Sequence, residues 1–200
     1  SHPESLPEEA KITLAMIKAR PSFLMVGTLE PRKGHSQVLE SFDHLWKAGI
    51  NVSLVIVGKQ GWMVEDLVDR LLHHPEINKR LFWLPSISDV YLEQVYASSA
   101  CIIAASYCEG FGLPLIEAAQ CSLPIIARDI PVFREVAGDH AWYFDSLSPQ
   151  ELSLSLKEWL DLYQQDAHPK SVSMPWLTWN ESAKMLWQVV ESQALLHGRE

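Results

Sequence analysis

No apolar run in this 200-residue sequence approaches the roughly 20 residues that a bilayer-spanning helix needs, and nothing in it reads as a membrane span. Positive charge is scarce: 16 Lys and Arg stand against 25 Asp and Glu, a formal net charge of -9. A protein that coats nucleic acid neutralises many phosphates with Lys and Arg. That class is excluded, and only a small local cationic site stays open. Cysteine is sparse as well. Cys101, Cys108 and Cys121 are odd in number, share no C-x-x-C spacing and lie in or beside apolar runs. They read as buried thiols of a reducing compartment, not as a metal site. The start, "SHPESLPEEA", lacks the basic-then-apolar character of a secretion signal, so a cytoplasmic location is expected. Internal repeats and low-complexity segments are missing too.

What the chain does have is a hydrophobic content of 48% with 20% charged residues, enough for one real core. Eight tryptophans contribute to it. Most, as in "LFWL" and "MLWQVV", read as core, while Trp62 and Trp176 flank loops and are expected to seal helix ends rather than stack on a ligand.

Short β-branched runs alternate with longer amphipathic ones. "FLMVG", "VSLVIVG", "RLFWL", "ACIIAAS", "PIIA" and "AWYF" read as strands. Between them, "HSQVLESFDHLWKAG", "MVEDLVDRLLHH", "SDVYLEQVYASS", "LPLIEAAQC" and "PVFREVAG" read as helices, with Ser88 or Asp89 capping the third. "EEAKITLAMIKA" leads in, and "SPQELSLSLKEWLDLYQQ" and "WNESAKMLWQVVESQALL" close the chain. Strands apolar on both faces, alternating with helices, predict an α/β fold: a Rossmann-like parallel sheet sandwiched by helices, with right-handed crossovers. Ligands of such sheets bind outside the carboxyl ends of the strands. The loops to inspect are "GTLEPRKG", "GKQG", "PSISD", "SYCEGFGLP" and "RDIP".

In the first loop, Arg32 and Lys33 stand just before Gly34 and a helix. Fixed cations beside unpaired helix N–H groups make a phosphate grip; an ordinary solvated turn has the same composition, and the loop alone does not choose. P-loop spacing and a G-x-G-x-x-G after the first strand are both lacking, which disfavours a nicotinamide cofactor. "SYCEGFGLPLIEAA" says more. Gly110 and Gly112 let the backbone pass close to a ligand, Pro114 suits the first helical position, and the amides of Phe111 to Leu113 would point at an anion. Glu117 is expected in the first turn, where an acid also stabilises the helix dipole. Glu109 gains nothing comparable from its turn, so the pair is better explained by a ligand carrying both hydroxyls and phosphates. D-x-D and His clusters with ligand spacing are lacking; His35, His73 and His74 read as surface residues.

Glu109, seven residues, then Glu117, set in "EGFGLPLIEAA" and preceded by "VGTLEPRKGH", "LVIVGKQG" and "SDVYLEQVYASS", resembles the carboxyl-terminal half of retaining, nucleotide-sugar-dependent glycosyltransferases of the GT-B fold, group 1 (family 4-like). The likeness runs from Phe23 to the final helix. The "GTLEPRKGH" variant resembles mannosyltransferases that build bacterial surface polysaccharides such as O-antigen. The resemblance implies a catalytic group of Glu109, Arg32 and Lys33, the cations holding the donor diphosphate and Glu109 facing the transferred sugar. Glu117 would bind the ribose hydroxyls. Gly110, Phe111, Gly112 and Leu113 would supply backbone contacts, and the turn at Leu84, Pro85 and Ser86 would receive the base. Relatives often carry their Arg directly after the strand-ending Gly, where this chain has Thr28. The implied donor is GDP-mannose, with neither cofactor nor essential metal.

The same resemblance divides the chain into a lead-in helix over residues 1–20, a nucleotide-sugar-binding domain over 21–165, and a linker with a crossover helix over 166–200. The acceptor, a glycan or lipid-linked glycan, would be bound by an amino-terminal domain outside this sequence, and the full protein would work at the inner face of the cytoplasmic membrane. The isolated chain is expected to transfer little or no sugar, and its cleft face to be unusually apolar or mobile. A sugar-nucleotide epimerase of similar architecture and a non-catalytic interaction module are the competing classes. The first would interconvert free nucleotide sugars without acceptor, and the second would ignore them. A response-regulator domain is disfavoured, because Arg32 and Lys33 stand where its acidic cluster belongs.

Overall fold

The computed structural model describes residues 6–175. Six short apolar runs form strands: β1 (Ser22–Val26), β2 (Ser53–Val57), β3 (Leu81–Leu84), β4 (Cys101–Ala104), β5 (Ile125–Arg128) and β6 (Ala141–Phe144). They pair in parallel in the order β3-β2-β1-β4-β5-β6. Every residue of β2 is buried, as a parallel strand covered on both faces requires. Among the described residues seven helices supply the cover: α1 (Glu8–Lys18), α2 (His35–Lys47), α3 (Glu65–Leu72), α4 (Asp89–Ser98), α5 (Leu113–Gln120), α6 (Pro131–Ala137) and α7 (Pro149–Gln164).

The pleat sorts the core into two layers. Phe23 and Met25 pack with residues of α2, α3 and α7, whereas Leu24 packs with residues of α1, α4, α5 and α6. In the first layer Phe23 meets Phe42 and Trp159 edge to face, each at a centroid distance of 5.4 Å. Burying a side chain of this size stabilises the fold by about 1.5–3 kcal/mol. Trp46 and Trp159 are core, as expected of most tryptophans. Ser88 caps α4, its Oγ accepting from the Tyr91 amide at 3.3 Å.

Four sequence expectations change here. Helix α3 begins at Glu65 instead of Met63, because Met63 holds a left-handed φ of 51° that the helix cannot extend through. Trp62, beside it, is exposed and seals nothing. Cys101 is buried, but Cys108 and Cys121 lie in turns at the surface. His35 is a core residue, since the helix it opens is pressed against the end of β4. Trp176 and the final helix, with Trp179, Ser182, Met185 and Leu186, lie outside the described residues.

That close approach is made by Gly34, whose φ is +74° and whose added Cβ would stand 2.4 Å from the Ala105 carbonyl oxygen. Left-handed backbone alone costs a non-glycine residue about 1–2 kcal/mol, so Gly34→Ala is expected to lower stability by at least about 2 kcal/mol in urea denaturation. His35, next in the chain, is 2% exposed. Burial, with the charge of Lys33, pushes its pKa down to about 4 from 6.5. Between those values the unfolded chain binds more protons than the folded one, so stability is full near pH 7 and falls on acidification, by about 1.4 kcal/mol per pH unit below 6.5. His35→Leu removes this term. The stability difference between variant and parent should shift in favour of the variant from pH 7 to pH 4. A difference independent of pH would show that His35 does not titrate this way.

Candidate functional site

Strand order reverses between β1 and β4, so the loops that leave these neighbours run in opposite directions and open a crevice at the carboxyl edge. Two expected clusters meet across it. Pro31–Lys33 forms a single 3-10 turn after β1 and presents Arg32 and Lys33. From the loop after β4, the Glu109 carboxylate accepts from Lys33 Nζ, from Ser106 Oγ at 2.8 Å and from Arg32 Nη1 at 3.3 Å. The Arg32 Nε donates in turn to Glu30 at 2.8 Å. Arg32 and Lys33, expected at the diphosphate, and Glu109, expected at the transferred sugar, are in direct contact. With its side chain only 10% exposed, Glu109 needs hydrogen-bonded counter-charges, and the turn after β1 is within reach. Burial by itself would raise the Glu109 pKa; the hydrogen bonds from Lys33 and Ser106 and the charges of Lys33 and Arg32 outweigh it and hold the group below its ordinary value.

Arg128, the last residue of β5, sits beside this cluster and was not singled out in the sequence. It is buried, and its guanidinium donates to the Ala105 carbonyl at 3.0 Å, the Ser146 carbonyl at 3.2 Å and the Gln37 side chain. The Tyr107 ring lies 4.3 Å from it and the Phe144 ring 5.0 Å. Among the described residues it has no carboxylate partner, and burial lowers its pKa. This clamp fixes the backbone just ahead of Glu109, where the Tyr107 amide donates to the Arg32 carbonyl at 2.8 Å. Its signal in the sequence was an arginine ending the apolar run "PIIA", at the mouth of a loop already marked for inspection.

The glycine turn leads from Glu109 into α5. Gly112, at φ +65°, precedes the first helical residue, Leu113, and Phe111 and Leu113 are exposed. Pro114 is therefore the second residue of α5. Glu117 is the fifth, one residue past the first turn where it was expected, because the helix starts directly after Gly112. It faces α4, accepting a hydrogen bond from the Tyr96 hydroxyl at 3.1 Å. Burial, then the charge of Glu117, raises the Tyr96 pKa. Pro85 and Ser86 follow β3 and line a cavity of about 450 Å³ against the first turns of α1. Arg32, Lys33 and Glu109 are thus in direct contact, while Glu117, Pro85 and Ser86 occupy neighbouring parts of the same edge.

Among the described residues no three His, Cys, Asp or Glu side chains are placed to hold a metal ion, and no helix is long and apolar enough to cross a membrane. Comparison with known proteins bears on the family and the fold. The chain is 55% identical over 181 residues to the Escherichia coli serotype-specific mannosyltransferase WbdA, covering 90% of this chain and 22% of that one. It is 30% identical over 117 residues to the Escherichia coli O-antigen chain mannosyltransferase B, covering 58% of this chain and 30% of the relative. It thus spans about a fifth to a third of the length of these curated relatives. Its fold matches the C-terminal domain of a group 1 glycosyl transferase from Francisella tularensis, with a TM-score of 0.64 at 19% identity over 81% of this chain and 87% of that domain. Anabaena HepE, solved with UDP-glucose, gives 0.64 at 20% identity over 82% of this chain and 46% of that one. Residues 8–171 match the family described as glycosyl transferases group 1, and the chain belongs to that family.

Proposed function

We propose that this chain is the donor-binding half of a retaining hexosyltransferase that uses GDP-mannose to extend a polysaccharide or lipid-linked glycan. The observation that carries the reading is the meeting of Arg32, Lys33 and Glu109 where the strand order reverses. Phosphate oxygens of a donor diphosphate accept from the same Arg32 and Lys33 donors that Glu109 now occupies. When they do, the cations stabilise the negative charge that grows on the departing diphosphate. Glu109, released from part of its ion pairing, turns its negative charge to the transferred sugar, whose anomeric centre becomes cationic as the leaving group departs. Glu117 receives the ribose hydroxyls, and Gly110, Phe111, Gly112 and Leu113 line the sugar and phosphate path. Pro85 and Ser86 bound the space for the base. Two fixed cations neutralise the diphosphate, so no essential metal is required.

The choice of mannose rests on the likeness to mannosyltransferases. The acceptor belongs to an amino-terminal domain outside this sequence, at the cytoplasmic face of the membrane, and the division at residues 20 and 165 follows from that reading. Calorimetric titration with GDP, UDP, ADP and their sugar conjugates, with and without magnesium, tests it. GDP and GDP-mannose should bind selectively and indifferently to metal. Lys33→Ala should weaken binding roughly tenfold or more, the scale of a lost charged hydrogen bond, and Glu117→Ala less so. Preference for another base would overturn the donor assignment, and binding of none by a folded chain would overturn the reading itself.

A further inference from the structure

Beside the ion-paired cluster lies a second cavity, of about 350 Å³, between the first turns of α2 and α3. Its size falls within the roughly 300–1,000 Å³ of small-molecule sites. All its walls come from the carboxyl edge: Glu30 after β1, Met63, Glu65 and Asp66 after β2, and Tyr107 after β4. Two of them belong to the cluster's own framework, for Glu30 pairs with Arg32 and the Tyr107 amide holds the Arg32 carbonyl. Among the described residues Glu65 and Asp66 enter no ion pair. Met63 is held in left-handed backbone and is 74% exposed. His35, buried beneath the same wall, has neither ring nitrogen hydrogen-bonded among the described residues.

The chemistry of these walls selects the occupant. Three carboxylates repel an anion, so the pocket is not an extension of the diphosphate grip. They are not gathered for a metal ion, and walls this polar do not suit an apolar ligand. A neutral polyhydroxyl compound fits: its hydroxyls donate to Glu65 and Asp66, while its C–H faces pack on Met63 and Tyr107. From the structure we infer that this pocket is a glycan subsite, holding the sugar units of the acceptor beside the donor cluster. The donor-binding half then contributes to acceptor recognition as well. The inference rests on the reading of the chain as a hexosyltransferase.

The test is an NMR titration of the 200-residue chain, labelled at Met methyl groups and backbone amides, with methyl α-mannoside, α-linked mannobiose and maltose. Saturable shifts at Met63, Glu65, Asp66 and Tyr107 at millimolar sugar, larger for the disaccharides, are expected. Glu65→Gln with Asp66→Asn should weaken them at least fivefold, and Met63→Gly, which also suits the left-handed backbone, should weaken them without loss of fold. Both variants should bind GDP as the parent does. Failure of the parent to bind GDP while these sugar shifts persist would sink the donor reading and leave the subsite standing. No saturable shift with any sugar, shifts confined to Glu109 through Leu113, or binding unaffected by both variants would overturn the subsite.

Discussion

One carboxylate joins the two halves of the sheet's ligand edge. Glu109, leaving β4, is held by Arg32 and Lys33, leaving β1, and by its own neighbour Ser106. Because β1 and β4 lie where the strand order reverses, no helix crosses between these loops. What bridges them is charge, together with the backbone hydrogen bond from the Tyr107 amide to the Arg32 carbonyl. A mostly buried carboxylate stripped of both cations would be left with an uncompensated charge, so the three groups hold their positions together. The same dependence makes the arrangement responsive: a ligand that brings its own negative oxygens to Arg32 and Lys33 competes directly with Glu109.

The surrounding structure sets that carboxylate in place through backbone. Gly34 lets α2 press against the Ala105 carbonyl, and Arg128 takes that same carbonyl from the other side while gripping Gln37 of α2 and the segment after β6. The rings of Tyr107 and Phe144 cover the guanidinium. A buried cation satisfied by neutral acceptors and aromatic faces adds positive potential near the crevice without adding an exposed charge. Beneath it, His35 stays neutral at physiological pH because burial and Lys33 both oppose its protonation.

Much of this was legible in the sequence, for reasons that differ by element. The parallel sheet showed in "LVIV" and "CIIA", since strands buried on both faces read as unbroken apolar runs. Arg32, Lys33 and Glu109 stood out because charged residues in glycine-bearing loops after such strands have few structural uses. Their mutual contact did not show, since nothing in local pattern says how loops 76 residues apart face each other. Arg128 and His35 were hidden for the complementary reason: each is a polar residue whose burial comes from tertiary packing, at the edge of a strand and the start of a helix. Glu117 was placed one residue early because Pro114 was read as the first helical residue, whereas the helix starts at Leu113, directly after the left-handed Gly112.

The central claim is that a diphosphate takes over the cations that Glu109 now holds. Carbon-13 NMR of the Glu109 carboxyl, titrated with acid in the free protein and with saturating GDP, measures this directly. Free Glu109 should titrate below the ordinary glutamate value, and GDP should move its pKa upward as Arg32 and Lys33 turn to phosphate. A pKa unchanged by bound GDP would place the nucleotide elsewhere and contradict the account.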